Sequence, residues 1–149
     1  MTHPAPLLAR LQAEQVAARK AQDRDRVLLL GTVIAEARNR EIELRRDLVD
    51  ADVVEVVRKA VKKRREASTL YETAGRADLA AREAAEAEAL DGFLPAAVDP
   101  EEIRAAIRAA VEAGATAVGA VMGVVLPQFK GRADGAQVSA LVREALGAR

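Results

Sequence analysis

The chain has 149 residues, and its 23 Lys+Arg are matched by 23 Asp+Glu, so the formal charge is zero. Half of the residues are hydrophobic but only 2% are aromatic, and neither cysteine nor tryptophan occurs. Disulfides, thiolate zinc sites, iron–sulfur clusters and thiol nucleophiles are thereby excluded, and the sole histidine, His3, lies near the start of the chain, where fraying is expected.

Ala, Val and Leu mixed with abundant Glu and Arg favour helix over sheet, and about seven helices are expected. Pro6 suits a helix entry, and Leu7, Leu8, Leu11 and Val16 follow on a short amphipathic segment reaching about Lys20. Asp23 can cap a second helix, in which Val27, Leu30, Ile34 and Ala37 recur at helical spacing before the charged run Arg38 to Arg46. Asp50 opens a third, with Val53, Val57, Val61, Ser68 and Tyr71 near one face and Gly75 as its stop. A fourth, Asp78 to Asp91, is nearly all Ala and Glu, with Leu79 and Leu90 as its larger apolar residues.

The segment Gly92-Phe93-Leu94-Pro95 breaks the helical pattern and is read as a domain boundary, dividing the chain into 1–94 and 95–149. In Asp99-Pro100-Glu101-Glu102, Asp caps, Pro suits the first helical position and Glu102 sits where a capping box closes. Ile103, Ile107 and Val111 line that helix and Gly114 ends it; Thr116 can cap the next, and Asp134 caps a last one carrying Val138, Leu141, Val142 and Leu146. No period-two alternation with hairpin punctuation occurs. The expected fold is all-α: an N-terminal bundle of about four helices followed by a compact C-terminal domain of three.

Residues 113–129 carry no charge, but Gly114, Gly119, Gly123 and Pro127 interrupt them, and they sit at the short limit for a membrane span. A buried helix is the better reading, and no membrane association is expected. Since the start of the chain has no basic segment followed by an apolar one, as a secretory signal would, a cytoplasmic location is expected.

Charge is concentrated in two places. Arg58, Lys59, Lys62, Lys63, Arg64 and Arg65 put six cations into eight residues. At about 100° per residue, Arg58, Lys59, Lys62 and Lys63 lie across from the stripe of Val57 and Val61, where they either meet a polyanion or form a solvated face paired with neighbouring acids. Arg64 falls inside the stripe. It requires either an internal carboxylate, for which Glu41 and Glu43 are candidates, or a phosphate in a groove between splayed helices.

The second place is Lys130-Gly-Arg-Ala-Asp-Gly135, where Lys130 and Arg132 flank a helix N-terminus. A capped turn explains the other residues, and the two cations suit an anion. Gly119 and Gly123, one turn apart on an apolar helix, would let another helix approach closely, within the chain or in a dimer.

Taken in order, Ala21-Gln-Asp-Arg-Asp-Arg26, Arg40-Glu-Ile-Glu-Leu-Arg45, Lys63-Arg-Arg65, Tyr71-Glu-Thr-Ala-Gly-Arg76-Ala-Asp-Leu79, Phe93-Leu-Pro95, Gly119-Ala-Val-Met-Gly123 and Lys130-Gly-Arg-Ala-Asp-Gly135 resemble the GatB/YqeY family, in its stand-alone YqeY-like form. The chain departs from the pattern at Gln15-Val-Ala and at Leu28-Leu-Leu-Gly31. The resemblance implies an all-helical protein in two parts, the second similar to the tail of the B subunit of glutamine-dependent aspartyl/glutamyl-tRNA amidotransferase.

That enzyme is a carbon–nitrogen ligase with glutamine as amido-N-donor, and its tail is the part that meets tRNA. Carried over, the resemblance makes Lys130 and Arg132 candidate tRNA contacts and Gly119 and Gly123 a candidate packing site. Lys63, Arg64 and Arg65 match the N-terminal part of the stand-alone proteins. Releasing ammonia from glutamine by the covalent route needs an activated Cys or Ser, and only Ser68 and Ser139 are available, neither in a recognisable constellation. No phosphate loop or magnesium carboxylate cluster is evident. No catalytic residue, cofactor or metal is therefore expected. The expected function is a non-catalytic tRNA-associated module, with an amidotransferase or a tRNA-synthetase-type protein as possible partner. The alternative is a helical protein–protein adaptor that does not bind nucleic acid.

Overall fold

The computed structural model describes residues 5–147; His3 lies outside them. Seven α-helices follow in chain order: α1 (Pro6–Lys20), α2 (Arg24–Leu44), α3 (Asp50–Thr73), α4 (Ala77–Asp91), α5 (Pro100–Glu112), α6 (Val118–Val125) and α7 (Gly135–Ala145), with a 3-10 turn at Leu126–Phe129. No strand occurs among the described residues, so the all-α reading holds. The chain separates into two compact units between Leu94 and Pro95.

In the first unit α1 packs along α2 and α3 along α4, and α3 also meets α1 and α2. Leu8, Leu11, Leu30, Val33, Val53, Val57 and Leu90 are fully buried between them. Both tight corners are built the same way. After α3, Gly75 takes a left-handed backbone (φ 74°), which lets its amide bond to the Glu72 carbonyl and the Arg76 amide to the Tyr71 carbonyl. After α1, Gln22 occupies the equivalent position (φ 58°), with the Asp23 amide on the Ala18 carbonyl. A side chain is strained in that region by about 1 kcal/mol relative to glycine. Gln22→Gly is accordingly expected to stabilise the protein by about 0.5–1 kcal/mol, read from urea unfolding.

Asp23 caps α2 as expected, its Oδ1 accepting the Arg26 amide at 3.1 Å. Asp50 behaves differently. It is the first residue of α3, and its Oδ1 accepts the amide of Leu7, 43 positions away, at 2.8 Å. It thus caps α1, whose own N-cap position holds Ala5, without an acceptor side chain. At the head of α3 it is Asp52, 3% exposed, that accepts the Val49 amide (2.9 Å) and both guanidinium nitrogens of Arg46 (2.8 and 3.0 Å). That bond, ahead of the charge of Asp52, raises the pKa of Arg46.

The Ala/Glu helix α4 buries Ala80 and Ala87, small residues that let its backbone come close to α3, together with Leu90. At its start the Arg76 guanidinium, and after it the Leu79 amide, hold the Asp78 carboxyl below its ordinary value of 3.8. Because the folded value is the lower one, this contribution to stability is present above the unfolded pKa and is lost as pH falls through the folded one. Arg76→Ala should move the Asp78 carboxyl titration back up towards 3.8, followed by NMR.

The second unit packs α5, α6 and α7 mutually around Ile103, Ile107, Val121, Val125, Phe129, Val138 and Val142. Asp99 and Asp134 cap α5 and α7 through the amides of Glu101 and Ala136. Two local expectations are corrected. Glu102 closes no capping box: Asp99 bonds one residue earlier, and the Glu102 carboxylate takes Arg132 Nη2 at 2.7 Å. Thr116 does not cap α6, because the chain stays extended through Ala117 and the helix starts at Val118. Pro127, which has no amide hydrogen to donate, sits where α6 ends and tightens into the 3-10 turn. Among the described residues no helix is long and apolar enough to cross a membrane.

Candidate nucleic-acid interface

The six-cation run lies in the middle of α3, and the packing of that helix divides it. Arg64 turns towards α4, its Nε donating to Glu86 Oε2 at 3.2 Å and its Nη1 to the Ala60 carbonyl at 3.0 Å, with the side chain 12% exposed. The internal carboxylate is therefore Glu86. Glu41 and Glu43 instead pair with Arg38 and Arg40 of their own helix. Arg65 lies 3.6 Å from Asp91, also on α4, with both side chains exposed.

Three of the other four cations lie on the α2 side of the helix, and Arg58 is half-buried. Lys59, Lys62 and Lys63 line a groove of about 520 Å³ between α3 and α2, to which α3 also contributes Val56 and Glu66. The opposite wall is a single stripe of α2: Glu36, Asn39, Arg40 and Glu43, at helical spacing i, i+3, i+4 and i+7. Arg40 is tied to Glu43 at 3.0 Å. The three lysines and Arg58 enter no ion pair among the described residues. A face paired off against the Ala/Glu helix thus accounts for Arg64 and Arg65 but not for the lysines.

Polarity keeps this groove open. Two helices close over each other when the stripes that meet are apolar, yet here one wall presents four polar residues and the other three ammonium groups. Collapsing the groove would bury unpaired charge, which costs far more than the Val56 methyls could return.

In the second unit, Lys130 and Arg132 occupy the turn before α7. Gly131 there has a left-handed φ of 76° and is buried. Arg132 bonds to Glu102 and lies over the Phe129 ring at 5.4 Å, a contact that anchors the turn to α5 while leaving the side chain about half exposed. Lys130 is exposed and also has a partner within the chain.

Gly119 and Gly123 correct the expectation of close packing within the chain. A Cβ built on either would meet no atom within 4 Å, so among the described residues no other helix of this unit sits against them. Both are exposed on α6, close in sequence to the exposed Val124 and Leu126.

The family model for Yqey-like proteins matches residues 8–146, which takes in both helical units. The chain belongs to the YqeY-like family. Among curated proteins, none matches it.

In this YqeY-like protein the structure adds one set of residues that the charge run alone does not identify: the α2 wall of the groove. Glu36, Asn39 and Arg40 look like an ordinary solvated face in the sequence, and the i, i+3, i+4, i+7 spacing that aligns them is the one available signal. The two serines available for acyl chemistry are placed as follows. Ser68 donates its hydroxyl to the Ala80 carbonyl at 2.8 Å, joining α3 to α4, and Ser139 is half-buried on α7. No cluster of three or more potential metal-ligating side chains occurs among the described residues.

Proposed function

We propose that this YqeY-like chain is a tRNA-associated module that performs no amide transfer by itself, with Lys59, Lys62 and Lys63 as its principal phosphate contacts. The observation that carries this reading is that three neighbouring ammonium groups stand along an open groove with no internal carboxylate paired to them. Each phosphate they neutralise releases counterions, which makes binding favourable and salt-dependent. Arg58 is a further contact at the edge of the same run, whereas Arg64 and Arg65 are engaged by α4 and contribute less. Lys130 and Arg132, beside the capped start of α7, form the contact of the second unit. The resemblance to the amidotransferase tail fits this assignment and points to a cytoplasmic protein working beside an amidotransferase or a synthetase-type enzyme.

Filter binding of tRNA over a salt series tests the reading. The variant Lys59→Ala/Lys62→Ala/Lys63→Ala should lose roughly tenfold or more in affinity, and the slope of log K against log salt should flatten by about 2–3. An unchanged slope in the folded variant would remove the groove from the account. Incubation of the purified chain with glutamine should release no ammonia.

A second reading, a helical adaptor, is favoured by the uncharged exposed residues of α6 and the turn after it, Gly119, Gly123, Val124 and Leu126. Light scattering with and without tRNA at two salt concentrations separates the two. Salt-insensitive self-association indifferent to tRNA would support the adaptor.

A further inference from the structure

The α2–α3 groove is more than a strip of positive charge, since its two walls differ in chemistry. One carries ammonium groups at Lys59, Lys62 and Lys63 with the Glu66 carboxylate beside them, and the other offers the Glu36 carboxylate and the Asn39 amide next to Arg40 and Glu43, which are tied to each other. Glu36 is half-buried and, like the lysines, enters no ion pair among the described residues. A ligand of phosphate alone would satisfy the lysines but be repelled by Glu36. Val56 is the one apolar residue of the lining, too little for the apolar face of a docking helix. What matches both walls is a molecule with an anionic end and a hydrogen-bond-donating end a few ångströms apart, of a size suited to a space of about 520 Å³.

We propose that the groove is a subsite for one unstacked nucleotide, its phosphate on the lysines of α3 and its base edge on Glu36 and Asn39 of α2. This rests on the tRNA-associated reading and deepens it. A carboxylate can only accept, so the groove favours bases that present an exocyclic amino group over uracil, whose one donor on that edge, N3–H, is flanked by the acceptors O2 and O4. The same chemistry could come from a free nucleotide or from a residue flipped out of an RNA loop, where bases are available on their pairing edges.

CMP and UMP, which differ on the pairing edge by N4–H₂ and a bare N3 against O4 and N3–H, are the probes, titrated into the protein by NMR with inorganic phosphate as control. CMP should bind about tenfold more tightly than UMP, the ratio set by one charge-assisted hydrogen bond, and phosphate should bind less well than CMP. Glu36→Gln should erase the CMP/UMP difference while leaving UMP affinity within about twofold, and Lys62→Ala/Lys63→Ala should weaken both nucleotides alike. Equal binding of CMP and UMP, or shifts that map away from the groove, would overturn the subsite. If that happened while tRNA binding still depended on Lys59, Lys62 and Lys63, the tRNA-associated reading would stand. A CMP/UMP difference with tRNA binding insensitive to those lysines would separate a free-nucleotide site from an RNA one. With tRNA itself, Glu36→Gln should lower affinity without changing the salt slope, whereas the lysine variants should change both.

Discussion

Phe93→Ala is expected to destabilise the first helical unit by about 3–5 kcal/mol, one of the largest effects of any single substitution in the chain. Phe93 is 5% exposed and belongs to the same core as Leu8, Leu30 and Leu90, although it lies beyond the last residue of α4. Two guanidinium groups lie near its ring, Arg10 of α1 at 4.7 Å and Arg26 of α2 at 5.8 Å from the centroid. Glu14 sits between these cations, 2.6 Å from Arg26 and 3.9 Å from Arg10, and offsets their mutual repulsion.

Removing the ring therefore opens a cavity and also takes away the surface on which two charges rest. Phe93→Leu keeps most of the volume and loses the π-face, so it should cost about 1–2 kcal/mol. Urea unfolding followed by circular dichroism checks both values. A loss below about 1 kcal/mol for Phe93→Ala would mean that the ring is not a core element.

The second large effect concerns Arg64 and Glu86, and it tests function together with stability. Glu86→Ala leaves a mostly buried guanidinium with only the Ala60 carbonyl, and should cost about 2–3 kcal/mol; the figure is reduced from that of a fully buried pair because Glu86 is partly exposed. Arg64→Met/Glu86→Leu removes both charges and keeps the volume, so the double variant should lie within about 1 kcal/mol of the parent. The same double variant should bind tRNA with affinity within about twofold of the parent, since an arginine held by an internal carboxylate contributes little to a phosphate. A clear loss of tRNA affinity in a stable double variant would return Arg64 to the interface.

These two sites show where reading the chain by periodicity works. Val57 and Val61 place Arg64 inside the apolar stripe of α3, and that placement requires an anionic partner, either an internal carboxylate or a phosphate in a groove. Which carboxylate was not legible. Glu41 and Glu43 are the obvious candidates by composition, but α4 folds back along α3 and brings Glu86 to within 3.2 Å. Likewise Gly92-Phe93-Leu94-Pro95 reads correctly as the end of a helical pattern, yet nothing local says that Phe93 turns back into the core.

The helices themselves were written plainly. Asp23, Asp99 and Asp134 are caps because a short carboxylate at the first turn satisfies amides that have no helical partner, and Gly75 and Gly114 are stops because glycine alone enters the left-handed region without strain. Asp50 shows the limit of that logic: its carboxylate serves a helix 43 residues away.

The candidate groove divides in the same manner. Its lysine wall is visible as a run of like charge, whereas its α2 wall consists of residues that become a site only when two helices stand apart. The all-helical character, the caps and the crowding of charge on α3 follow from interactions within a few residues, which composition and spacing encode directly. Which cation finds a carboxylate and which is left facing an open groove depends on contacts between residues far apart in the chain, and those are set by the packing of whole helices.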